Sequence, residues 1–373
     1  MVSRVAIIAS DLDSLLNFRM GLIKNILNKN IQVDIISSNG ALESEKTIRD
    51  MGLNFYNPMI SRTSLNVFTD FKSIFLIANY LRKNNIDIVL SYTIKPVLYN
   101  LFLTIFFPRV RFYSLISGLG YAFGNLSFKQ RMIGKILEKV YRLSTRNLSG
   151  VIFQNNDDRD LLISKKILSS DINSIVVNGS GVPLEKFYFQ APLKKQIIFM
   201  MVARILYDKG VIEFFKAAKI IKQKYPNIKF KYYGDFDSNP AHISKKVFFE
   251  YVNEGNVEYC GYKKNLTKFY IESSVFVLPS YREGRPRSVI EAMSCGRAII
   301  TTNAPGCREA IRDKVNGFII NPKDHIALAK AMEVFILNQD LIVEMGYQSR
   351  RIAEEIYDEK IVAEDIAKFM EII

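Results

Sequence analysis

The chain has 373 residues, enough for about two domains, and its 49% hydrophobic and 24% charged content excludes disorder and low-complexity scaffolds. A formal net charge of +14 calls for an anionic partner, but no basic tail, zinc-finger spacing or RNP-type aromatic motif points to nucleic acid. Three cysteines with no C-x-x-C pair and only two histidines argue against a disulfide framework and a Cys/His zinc site, and they fit a reduced cytoplasmic setting.

The opening VSRVAIIAS is too short and polar for a secretory signal, and no run of 18 apolar residues is present. Val5–Ala9 reads as a strand, Ser10–Leu16 as a polar loop, Phe18–Asn28 as a helix and Ile31–Ser37 as a second strand. Ile86–Ser91 and Arg111–Ile116 read as further strands around a helix over residues 96–107, and Gly150–Gln154 as another. Between them, Phe128–Arg146 places Ile133, Ile136, Leu137, Val140 and Tyr141 on one helical face. Arg131, Lys135, Lys139, Arg142 and Arg146 follow the opposite face. Such a basic amphipathic helix suits an anionic membrane surface, each cation there contributing about 1 kcal/mol.

The turn cluster Asn178-Gly179-Ser180-Gly181-Val182-Pro183 breaks the alternation and marks a domain link. It then resumes with strands at Gln196–Ala203, Ile228–Tyr233, Val257–Gly261, Val275–Pro279 and Arg297–Thr302. Helices are expected over Val211–Tyr225 and over 265–273, 288–295, 325–337 and 340–357. The expectation is an α/β fold of two Rossmann-like, doubly wound domains facing a central cleft, with ligand at the strand C-termini. Residues 1–185 form the first domain and 186–355 the second, with a C-terminal helix in 356–373 packing back on the first.

Chemistry concentrates in the second half. Glu283 and Glu291 stand eight positions apart, one in the loop after a strand and one inside the following helix. Pro286 suits the helix start, so the amides of Arg287, Ser288 and Val289 present unpaired donors to an anion. Arg204 ends a strand and Lys209-Gly210 opens the next helix, where two fixed cations would hold a diphosphate. Asp11-x-Asp13 and Asp235-x-Asp237 imitate a metal-binding pair, but two Rossmann-like halves argue against that use; no metal and no cofactor is expected. His242 and His325 read as surface residues.

This constellation resembles the nucleotide-sugar domain of the retaining GT-B glycosyltransferases of the family-four group. Their Glu-x(7)-Glu motif matches Glu283 and Glu291, and their diphosphate-holding cations match Arg204 and Lys209. Pro286–Met293, Ala304–Glu309, Asn316–Phe318, Asn17–Arg19, Tyr92–Pro96 and Ser117–Gly120 narrow the likeness to undecaprenyl-diphosphate-sugar glycosyltransferases, the N,N′-diacetylbacillosaminyl-diphospho-undecaprenol N-acetylgalactosaminyltransferases among them. Two features depart from the wider family. The first strand is followed by Ser10-Asp11-Leu12-Asp13-Ser14 with no glycine, and no histidine stands in the first half, where Ser117-Gly118 fills the comparable place.

The resemblance implies retaining sugar transfer from a nucleotide-sugar, a UDP-sugar, to a polyprenyl-diphosphate-linked saccharide at the cytoplasmic face of the cell membrane. It implies catalysis by Glu283, Arg204 and Lys209, and donor binding by Glu291, Arg287, Ser288, Val289 and Gly284. Arg19 and Lys95 follow first-domain strands, face the cleft and would bind the acceptor diphosphate; Asn17, Ser117 and Gly118 complete that acceptor set. Two alternatives stay open on the residues alone: a sugar-nucleotide epimerase on a similar fold, and a non-catalytic membrane-associated binding subunit.

Overall fold

The computed structural model describes residues 2–60, 67–119, 138–139, 142–192, 196–237, 239 and 241–372. Most of the basic segment expected over Phe128–Arg146 lies outside these residues, as does Gly120. The chain divides into two compact units, residues 1–180 with 359–373, and residues 181–358. The crossings fall at 180/181 and 358/359 rather than at the expected 185/186 and 355/356. Local pairing explains the difference: the Val182 amide donates to the Tyr357 carbonyl at 2.9 Å and Val182 bridges Asp358, so the entering and leaving segments are zipped together.

The first unit runs Arg4–Ile8 (β1), Leu12–Asn28 (α1), Gln32–Ile36 (β2), Leu42–Asp50 (α2) and Asn54–Tyr56 (β3). Val67–Asn84 (α3), Ile88–Tyr92 (β4), Ile94–Phe106 (α4) and Arg111–Ile116 (β5) follow, then Gly150–Phe153 (β6), Asn156–Ser164 (α5) and Ser174–Val176 (β7). Its seven strands are parallel in the order β3-β2-β1-β4-β5-β6-β7. The direction of winding reverses between β1 and β4, the place where such sheets open a crevice beyond their carboxyl ends. Continuous apolar runs such as Val5–Ile8 and Ile88–Leu90 are buried on both faces, as parallel strands require.

Helix α1 starts at Leu12, inside the segment expected as loop. The Asp11 side chain accepts the Ser14 amide at 2.7 Å and supplies the N-cap. Asp13 accepts the Ala41 amide at 2.9 Å, so both members of that aspartate pair bind backbone. The C-terminal helix Glu359–Phe369 lies against α1. Asn25 donates to Glu364 at 3.0 Å and Lys29 pairs with it at 3.2 Å; these bonds hold the Glu364 carboxyl below the usual range.

The second unit runs Ile198–Val202 (β8), Val211–Lys224 (α6), Lys229–Tyr233 (β9), Lys245–Asn253 (α7), Glu258–Tyr259 (β10) and Thr267–Glu272 (α8). Then come Val275–Leu278 (β11), Arg287–Ser294 (α9), Ala298–Thr302 (β12), Gly317–Ile320 (β13), His325–Leu337 (α10) and Gln339–Ile356 (α11). Its six parallel strands lie in the order β10-β9-β8-β11-β12-β13, reversing between β8 and β11. Arg297, fully buried, donates to the carbonyls of Ile271 (3.0 Å), Ser273 (2.5 Å), Cys295 (2.9 Å) and Gln190. One guanidinium thereby closes the ends of α8 and α9 and anchors the segment before β8. Burial lowers its pKa to about 10, still charged at neutral pH.

Candidate active site

The second unit gathers its chemistry at the reversal between β8 and β11. Beyond β8, Tyr207–Lys209 forms a single 3-10 turn that ends at Gly210 in the left-handed region, φ 71°. Lys209 therefore lies one residue ahead of the Gly210 cap rather than opening α6 itself. Beyond β11, Ser280 Oγ donates to the Asp208 carbonyl at 2.9 Å, and the Tyr281 amide donates to the same oxygen at 2.8 Å. A Cβ on Gly210 would strike the Pro279 carbonyl, so only glycine lets the two segments close up.

This stitching brings Lys209 against Glu283. The Lys209 ammonium donates to Glu283 Oε1 at 2.6 Å, both side chains being largely buried. Two motifs separated in sequence thus form one charged pair at the switch point. The Glu283 amide is held in turn by the Pro305 carbonyl at 2.9 Å. Gly306, φ 77°, packs its bare Cα on the Glu283 and Gly284 carbonyls, where a Cβ would collide. Buried Cys307 lies in the same loop; burial, with the nearby Glu283 charge, pushes its thiol up to about 12.

Arg204 makes a separate pair, with Asp237 at 2.8 Å, and stays 49% exposed. Asp237 also accepts the Asn239 amide at 2.8 Å, and Asp235 accepts the Phe236 amide at 2.8 Å, so this second aspartate pair is likewise engaged. The side chains beside Arg204 line a cavity of about 350 Å³ over the ends of β8 and β9, with Tyr233, Phe236 and Tyr262 in its wall.

Glu291 sits in α9 with both oxygens occupied. Arg287 donates to Oε1 at 2.9 Å, and the buried Tyr270 hydroxyl donates to Oε2 at 3.0 Å. Burial, and then the Glu291 charge, push the Tyr270 hydroxyl well above its ordinary pKa, so it remains a donor. Pro286 occupies the N-cap position rather than the first helical one. It has no side-chain acceptor, and its carbonyl instead receives the Val289 amide at 3.1 Å and the Ile290 amide at 3.3 Å. The expectation of three unpaired amides is therefore corrected at Val289, whose N–H is spent inside the first turn.

The acceptor candidates of the first unit occupy different settings. Lys95 lies in the first turn of α4, where its ammonium pairs with Asp70 of α3 at 2.9 Å; Asp70 also accepts the Tyr99 hydroxyl at 2.6 Å. Arg19 does not line an open surface. It is 2% exposed within α1, with its guanidinium 4.6 Å from the centre of the Tyr92 ring. Asn17, two residues earlier and about 200° round the helix, is exposed instead. Thr93 joins β4 to α4 at φ 75°, a conformation rare for a branched residue, and its hydroxyl accepts the Ser10 amide at 3.2 Å. Ser117 and Gly118 follow β5, Gly118 at φ 131°.

Sequence reasoning assigned no role to Ser280, Tyr270 or Gly306. A glycine between Pro305 and Cys307, after a strand, was the available signal for close backbone approach; nothing in the sequence pairs Tyr270 with Glu291.

Residues 185–352 match the family model for glycosyl transferases group 1. The chain is 29% identical over 368 residues to the N,N'-diacetylbacillosaminyl-diphospho-undecaprenol alpha-1,3-N-acetylgalactosaminyltransferase of Campylobacter jejuni, covering 95% of each. It is 25% identical to the UDP-Gal:alpha-D-GlcNAc-diphosphoundecaprenol alpha-1,3-galactosyltransferase of Escherichia coli, over 72% of this chain and 71% of that one. Among solved structures, sucrose-phosphate synthase from Thermosynechococcus elongatus superposes with a TM-score of 0.81 at 17% identity, covering 99% of this chain and 98% of that one. These relatives are transferases and synthases by name, and they lend nothing to the epimerase or binding-subunit readings. Two doubly wound parallel units give the chain the GT-B fold, and its residues 185–352 form a glycosyl transferases group 1 domain.

Proposed function

We propose that this glycosyltransferase moves a hexosyl residue from a UDP-sugar to a saccharide carried on polyprenyl diphosphate, with retention at the anomeric carbon, in assembly of a surface polysaccharide such as O-antigen or capsule. The observation that carries the reading is the Lys209–Glu283 pair at the β8/β11 switch point, in the unit that also holds the cavity next to Arg204. The two relatives, both named for action on undecaprenol-linked diphosphates, support the substrate class. The enzyme would work at the cytoplasmic face of an anionic membrane, peripherally attached.

In this mechanism the nucleoside enters the cavity walled by Tyr233, Phe236 and Tyr262, and Glu291 takes the ribose diol. The diphosphate lies between Arg204 and Lys209, with Arg287, Ser288, Val289 and Gly284 bordering the donor. A lysine ammonium carries three N–H donors, so the bond to Glu283 leaves two for phosphate oxygens. Charge grows on the departing diphosphate as the bond from the anomeric carbon to its oxygen breaks. Fixed cations lower that barrier without reorganising. The acceptor hydroxyl attacks from the same face and its proton passes to the leaving phosphate oxygen. Glu283 orients the donor sugar. In the first unit, Lys95 would meet the acceptor diphosphate and Arg19 would hold Tyr92 in place, while Asn17, Ser117 and Gly118 border the acceptor.

The test is transfer from UDP-, GDP-, ADP- and dTDP-sugars to short-chain polyprenyl-diphosphate saccharides. Wild type should consume a UDP-sugar and give an α-linked product from an α-linked donor. Consumption of none of these donors, or an inverted product, would contradict the reading.

A further inference from the structure

Helices α3 and α4 expose far more apolar surface than the core requires. On α3, Phe68, Phe71 and Phe75 are spaced by three and four residues and share one face, with Phe68 88% and Phe75 65% exposed. On α4, Ile94, Ile105 and Phe106 are exposed, Phe106 by 62%. The two stripes join where Phe71 meets Phe102 edge-on, ring centres 5.4 Å apart. Apolar patches of this kind on a folded surface mark a docking site.

The surrounding charge says what docks. Asp70 is the one acid of α3, and Lys95 and Tyr99 already hold it; α4 has none. Among the described residues, the exposed charges on α3, on α4 and just past its end are Lys72, Arg82, Lys83 and Arg109. An apolar aromatic face whose own helices expose only cations complements an anionic lipid surface, where aromatics enter the acyl boundary and cations meet headgroups. Ile94, at one end of the patch, adjoins Lys95, the cation assigned above to the acceptor diphosphate. Among the described residues no helix is long and apolar enough to cross a membrane.

We infer that the α3–α4 face is a membrane-docking surface that seats the first unit on an anionic bilayer and sets Lys95 at headgroup depth. The inference rests on the reading that the acceptor is membrane-held. It is tested by co-sedimentation of the full chain with vesicles of phosphatidylglycerol and phosphatidylethanolamine, against phosphatidylcholine alone, without any sugar substrate. Wild type should bind the anionic vesicles preferentially. F75S/F106S should weaken that binding by about tenfold or more, and K72E/R109E should abolish the preference for anionic lipid. Both variants should keep the wild-type thermal midpoint and transfer to a short-chain acceptor in solution. Undiminished vesicle binding by F75S/F106S would overturn the proposal. So would a wild-type dimer, seen by sedimentation velocity, that the same variant dissociates while vesicles are not bound. Vesicle binding is read apart from transfer, so a failed acceptor reading would show as absent transfer beside an intact vesicle result.

Discussion

In the proposed mechanism Lys209 and Glu291 divide the donor's handling between them, and their loss should look different. Removing Lys209 takes away a cation aimed at charge that develops only as the diphosphate departs. K209A should lower kcat by about 100-fold or more with a modest change in KM, as steady-state kinetics would show. Removing Glu291 would, on the same mechanism, take away contacts made equally before and during reaction, so E291A should act mainly through the donor KM. Y270F is the milder probe. It strips one hydrogen bond from Glu291 Oε2 and should raise the donor KM several-fold while leaving kcat near wild type. The Glu283 and Glu291 spacing and the two cations stood out in the sequence because all four fall between the end of a strand and the early turns of the helix that follows it. Their pairing was not. Which carboxylate each cation meets depends on tertiary stitching through Ser280 and Asp208, and on Asp237, residues whose types signal nothing by themselves. Arg19 shows the opposite failure: a basic residue beside a motif looks like a ligand, yet its guanidinium stacks on Tyr92 inside the fold.

At the scale of elements, the loops that carry the site depend on supports away from it. G306A would place a methyl group against the Glu283 and Gly284 carbonyls in a backbone conformation unsuited to it. The variant should lose about 1–3 kcal/mol of stability and lose donor affinity with it, measurable by denaturant unfolding and nucleotide titration. Arg297 is the larger support, since R297M would leave the carbonyls of Ile271, Ser273, Cys295 and Gln190 short of a donor; about 3 kcal/mol or more should go. The strands were readable because parallel strands are continuous apolar runs. Helix α3 was not, because its apolar residues run nearly all round it, and the phenylalanines that blur the period are the ones left exposed. Helix α1 was read too short because Asp11 and Ser14 look like loop chemistry when they are a cap.

At the scale of the whole molecule, the chain leaves its first unit once and returns to it through the C-terminal helix. Glu364 on that helix titrates below the usual carboxylate range because Asn25 and Lys29 donate to it. A depressed carboxyl contributes stability above its unfolded pKa, about 4.3, and loses it as pH falls through the lower folded value. Hydrogen-exchange protection factors in Glu359–Phe369 should therefore fall on acidification below that range, and E364Q should flatten this pH response while weakening the contact at neutral pH.

On the proposed function, the second unit holds a nucleoside diphosphate at the β8/β11 switch point. Calorimetric titration of UDP into wild type, K209A and E291A tests it most directly. Wild type should bind UDP saturably, with affinity lower by about tenfold or more in each variant and thermal midpoints preserved in the absence of nucleotide. Equal UDP affinity in all three proteins, or no binding by wild type, would contradict it.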